Sequence, residues 1–81
     1  MIKILFFAQI RERLNCESLQ LDEVPQNLGT LREKLSDKSE LWAEILQSKA
    51  AIAAVNQTIA EDDALLKNGD EVAFFPPVTG G

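Results

Sequence analysis

Only one stretch of this chain carries a sustained helical period, and strand-like segments lie on both sides of it. That asymmetry limits the fold more than any other feature. Residues 2–7 (IKILFF) are rich in β-branched and aromatic residues and read as a strand. Alternation places Ile2, Ile4 and Phe6 on one face and Lys3, Leu5 and Phe7 on the other, with Lys3 marking the wetter side. Residues 8–14 (AQIRERL) fit a short helical turn. Residues 17–22 alternate again, with Leu19 and Leu21 inward, so the first two strands suggest an antiparallel pair with a long connection. The sequence Thr30-Leu31-Arg32-Glu33 matches a capping box, in which hydroxyl and carboxylate satisfy free N–H groups of a first helical turn. Leu31 and Leu35 share a face. Residues 36–39 (SDKS) interrupt the pattern, and Leu41, Trp42, Ile45 and Leu46 resume it.

The rest of the chain is extended. Residues 52–55 form an apolar run too short for a helix and read as a central strand. Asn56-Gln57 is a turn candidate and residues 58–60 continue as a strand. Glu61-Asp62-Asp63 reads as a solvated acidic loop, and Asn68-Gly69 as a turn that tolerates positive φ. Residues 71–75 (EVAFF) form the last strand, with Val72 and Phe74 on one face and Ala73 and Phe75 on the other. One helical region can cover only one face of a mixed sheet. The expected fold is an α+β roll of the β-grasp type, one domain over residues 1–81 ending in a flexible C-terminal tail, 76–81. If the first and last strands are parallel neighbours, Phe7 and Phe75 lie together on the uncovered face. Each would contribute about 1.5–3 kcal/mol if a partner buried it; the alternative is that loops cover both.

Composition removes several kinds of chemistry. With no histidine and one cysteine in 81 residues, triads built on histidine, His or Cys-rich zinc sites and internal disulfides are excluded. Eight Lys+Arg against 13 Asp+Glu leave a net charge of −5, which argues against nucleic acid or an anionic membrane as ligand. The apolar N-terminal run is too short to span a membrane, and neither a basic leader nor a small-residue cleavage pattern flanks it. A cytoplasmic location is therefore expected, in keeping with the unpaired Cys16. Cys16 has no basic neighbour to activate it and reads as incidental. Trp42 reads as core.

The end of the chain is the most informative segment. Pro76 and Pro77 stop strand pairing, because proline has no N–H to donate. Residues 76–81 are expected to project, reaching about 20 Å at most. They close on Gly80-Gly81, which without Cβ atoms can thread a narrow channel and present a carboxylate inside another protein.

Residues 69–81 (GDEVAFFPPVTGG) resemble the C-terminus of the small subunit of molybdopterin synthase, the MoaD family. Residues 4–12 (ILFFAQIRE) resemble that family's first strand and turn, and residues 53–58 (AAVNQT) its central strand. Between about residues 14 and 50 only the order of elements agrees. The resemblance implies a ubiquitin-like β-grasp and a sulfur carrier that is not a catalyst alone. A separate E1-like (MoeB-like) enzyme would consume ATP to adenylate Gly81, and sulfur would replace AMP to leave a thiocarboxylate. The tail, through Gly80, would enter a large (MoaE-like) subunit and donate sulfur to cyclic pyranopterin monophosphate, building the molybdopterin dithiolene. Carried over residue by residue, the docking positions are Phe7, Ile59 and Phe75, with Pro76, Pro77, Val78 and Thr79 along the tail. For Ile59, ordinary strand packing is the alternative. The resemblance implies no metal, no stably bound cofactor and an assembly of two small and two large subunits. A sulfur carrier for thiamine or tRNA thiolation and a ubiquitin-like interaction module are the competing functions.

Overall fold

The computed structural model of the chain describes residues 1–77. Its elements are β1 (Ile2–Phe6), α1 (Ala8–Leu14), β2 (Ser18–Leu21), α2 (Leu28–Ser36), α3 (Glu40–Leu46), β3 (Ile52–Val55), β4 (Thr58–Ala60) and β5 (Glu71–Phe75). The five strands form one mixed sheet in the order β2-β1-β5-β3-β4. β1 and β5 are parallel, in the register Lys3↔Glu71 to Phe6↔Phe74. The other three pairs are antiparallel. This is the ubiquitin-like β-grasp arrangement. β5, the last strand in the chain, is the middle one in space; β3, read from sequence as central, lies one position further out.

The core lies between the sheet and the helices. Ile2, Ile4, Phe6, Val72 and Phe74 are almost completely buried beneath Leu28, Leu31, Leu35 and Leu46. Phe6 stacks against Phe74 at 5.9 Å between ring centroids, and the half-buried Trp42 meets Phe6 edge-on at 5.4 Å. Leu41, by contrast, is on the outer side of α3, 41% exposed. Burying each large side chain contributes about 1.5–3 kcal/mol.

Three local features differ from the sequence reading. α2 starts one turn earlier than the Thr30 box implied: Asn27 is the cap, its side chain accepting from the Thr30 N–H at 2.8 Å. Leu28 fits the same apolar stripe as Leu31 and Leu35, which is why the earlier cap prevails. Residues 8–14 form a full helix, closed by Asn15 in the left-handed conformation at φ 53°. At the 68–69 turn only Gly69 takes positive φ, 92°. The expected hairpin turn at Asn56-Gln57 is present, with φ of 51° and 71°.

Two side chains tie distant segments together. Arg32 on α2 donates from Nη1 to the carbonyls of Leu46 and Ala51, at 2.6 and 3.0 Å. Its Nε reaches Asp62 Oδ1 at 3.2 Å, and its guanidinium lies over the Phe74 ring. The acidic loop is therefore engaged: the Asp62 carbonyl also accepts from the Gly29 N–H at 2.8 Å, an approach that a Cβ at position 29 would crowd. The buried Asp70 accepts from the Asn56 amide at 2.9 Å and the Lys67 N–H at 2.8 Å. These bonds, the Asn56 one foremost, hold its carboxyl below the usual range.

Candidate functional site

Strand register decides which side chains face away from the helices. On β1 and β5 these are Lys3 and Leu5, and Glu71, Ala73 and Phe75, because the alternating positions are core. Phe75 pairs with Ile52 and Ala73 with Ala54, which places Ile52 and Ala54 on the same face. Ala54 in turn pairs with Ile59, extending the face onto the edge strand β4. Phe7 follows β1 in extended conformation, and its N–H donates to the Phe74 carbonyl at 3.1 Å. Phe7 and Phe75 are therefore neighbours across the parallel pair.

The open face has two unlike ends. Lys3 and Glu71 sit side by side at one end, with Gln20 next to Lys3. Leu5, Ala73, Ala54 and Ile59 form a row across four strands. Phe7, Phe75 and Ile52 occupy the end from which the tail departs. Phe7 is 43% exposed and Ile59 69% exposed, whereas Phe75 is half-buried; Phe7 is therefore not covered by loops, and Ile59 is not ordinary strand packing. Large apolar groups left in water on one face suit a surface that a partner buries.

The tail root is built on the other side of the sheet. Pro76 follows Phe75 and lies toward the helices, half-buried, whereas Pro77 is exposed. Pro76 lines a notch of about 190 Å³ shared with Gln9, Ile10 and Arg13 of α1, Glu44 and Ile45 of α3, and the segment Ser48, Ala50 and Ala51. The candidates Val78, Thr79, Gly80 and Gly81 lie outside the described residues. Among the described residues no group of three or more His, Cys, Asp or Glu is arranged to hold a metal. Cys16 is half-buried, its thiol 3.5 Å from the Ser18 carbonyl.

Comparison with known proteins supplies the family. The family model described as the ThiS family matches residues 4–81. The chain belongs to the ThiS family. It is 43% identical to the molybdopterin synthase sulfur carrier subunit of Haemophilus influenzae, over 100% of both chains. It is 46% identical to that of Escherichia coli, again over 100% of both. A chain in the complex of subunits 1 and 2 of molybdopterin-converting factor from Helicobacter pylori is 28% identical, with a TM-score of 0.71. That match covers 99% of this chain and 97% of the other.

Within this ThiS-family domain, alternation alone located Phe7, Phe75 and Leu5 on the open face. It missed Ile52 and Ala54, because the run IAAV is apolar at every position and shows no alternation. Their signal was available only through pairing with β5, whose EVAFF pattern does alternate in burial.

Proposed function

We propose that this chain is the sulfur-carrier small subunit of molybdopterin synthase. One observation carries the reading: the exposed apolar face and the root of the Gly-Gly tail lie at the same end of the sheet. A partner that docks on Phe7, Phe75 and Ile59 therefore receives the tail at its own surface. The names of the relatives at 43% and 46% identity support the same reading.

The chemistry needs little from the chain itself. A carboxylate resists attack because its charge is delocalised and oxide is a poor leaving group. On an E1-like partner, the Gly81 carboxylate attacks ATP, giving an acyl-adenylate and releasing pyrophosphate. A sulfur donor then displaces AMP, and the product thiocarboxylate is a soft anionic nucleophile. Delivered into the large subunit, its sulfur bonds to cyclic pyranopterin monophosphate, and water then hydrolyses the acyl–sulfur bond, leaving sulfur on the pterin and the tail as its carboxylate. Gly80 and Gly81 supply slenderness, Pro76 and Pro77 a stiff root, and the face supplies affinity. Acid–base groups and phosphate-binding groups belong to the partners. The complex of subunits 1 and 2 described for the Helicobacter pylori protein supports the large-subunit partnership. A cytoplasmic site of action completes the proposal; no helix among the described residues is long and apolar enough to cross a membrane.

The test is intact mass after incubation with ATP, an E1-like enzyme and a sulfur donor. The expected result is one C-terminal oxygen replaced by sulfur in the full chain and no change when Gly81 is deleted. An unchanged full chain, under conditions that load a known carrier, removes the reading. Complementation of a molybdopterin-deficient strain separates it from sulfur delivery to thiamine or tRNA.

A further inference from the structure

We propose that the wall of the notch between α1 and α3 is a positioning site for the departing chain, with Pro76 as the residue seated in that wall. The proposal deepens the sulfur-carrier reading and rests on it. β1 ends at Phe6, opposite Phe74, and the chain turns at Phe7 and Ala8 into α1, so β5 has no β1 neighbour beyond Phe74. On its other side, β3 begins at Ile52, directly opposite Phe75. Residue 76 is thus the first after β5 with no strand beside it, and as proline it has no N–H with which to pair. A chain leaving a sheet at that point would ordinarily be free to swing.

Partial burial of Pro76 in the notch wall takes the place of the missing ladder. Ile10, Ile45 and Ala51 are each at least 94% buried and form its apolar wall. Gln9, Arg13, Glu44 and Ser48 complete the lining, and the exposed Ala50 stands at its rim. Pro76 is half-buried there while Pro77 is exposed, so the chain leaves the body of the protein between these two residues. Fixing that exit point matters because the reacting atoms are carried on only a few further residues. A fixed origin raises the effective concentration of the C-terminus at a partner's reaction centre, and small misplacements there are costly.

Pro76 is accordingly a positioning residue. It acts on the rate of sulfur transfer after docking, whereas Phe7, Phe75 and Ile59 act on affinity. Three variants separate notch packing from proline stiffness: Pro76→Gly, Pro77→Gly and Ala50→Phe, the last placing a bulky ring in the notch. Each is loaded with sulfur, checked by intact mass, and assayed in single turnover with the large subunit, alongside its Kd and Tm. P76G and A50F are expected to slow transfer on the order of tenfold with Kd unchanged within about twofold, P77G by less. A P76G rate equal to that of P77G, or wild-type transfer by A50F, overturns the proposal. A second readout is independent of sulfur. Nuclear Overhauser contacts from the Pro76 ring to the Ile10 and Ala51 methyls are expected in the free wild-type chain and lost in A50F. Their absence from the wild type overturns the positioning site even where sulfur loading succeeds; a wild type that shows them but never gains sulfur counts instead against the carrier reading.

Discussion

Ile59 shows how much one side chain can be separated from the fold that carries it. It sits on the edge strand, 69% exposed, and pairs with the small Ala54. Ile59→Asp should therefore change unfolding free energy by no more than about 0.5 kcal/mol. The same substitution should weaken binding to the large subunit by about 1.5–3 kcal/mol, roughly ten- to a hundredfold in Kd, measured by calorimetry. Equal loss of stability and affinity would contradict the assignment. Asp70 is the opposite case, a residue whose role is wholly internal. Its folded-state pKa lies below the ordinary carboxylate value, so its contribution is present above the unfolded pKa and disappears as pH falls through the folded one. Asp70→Asn is expected to cost about 1–3 kcal/mol near neutral pH, where the Lys67 N–H or the Asn56 amide loses its acceptor. Denaturant melts from neutral pH down through the carboxylate range should show the wild-type and D70N curves converging at the acid end.

At the level of elements, α2, α3 and the start of β3 are held in one arrangement by Arg32. Its guanidinium serves two carbonyls that helix and sheet leave without partners, those of Leu46 and Ala51. Arg32→Met keeps the apolar stem over Phe74 but removes both donors, and an unfolding cost of about 1.5–3 kcal/mol is expected in urea melts. None of this was legible in sequence, where Arg32 appeared only inside a capping box. Periodicity reports which residues share a face; it says nothing of a side chain that bonds to carbonyls 14 and 19 positions away. The Asn56–Asp70 contact was hidden for the same reason. The strands, their faces and the helical layer were readable because alternation and helical spacing are local. The Thr30 box puts the start of α2 one turn late, because the burial of Leu28, which favours the cap at Asn27, depends on tertiary packing.

Across the whole molecule, the parallel pairing of β1 with β5 sets the geometry of use. Parallel neighbours start together and finish together, so Met1 lies near the Gly69 turn, whose N–H donates to the Met1 carbonyl at 2.8 Å. Phe7, Phe75 and the tail root gather at the other pole, about 17 Å away along a five-residue strand. A domain fused ahead of Met1 is expected to leave sulfur loading and transfer within about twofold of wild type, since it stands a strand length from Phe7, Phe75 and the tail root. A residue added after Gly81 and left uncleaved should abolish loading, measured by intact mass. The two poles also make the protein a natural immobilised reagent. Tethered to a bead by its amino end, a carrier working as proposed would be charged by one soluble enzyme, washed, and discharged by another, without leaving the support.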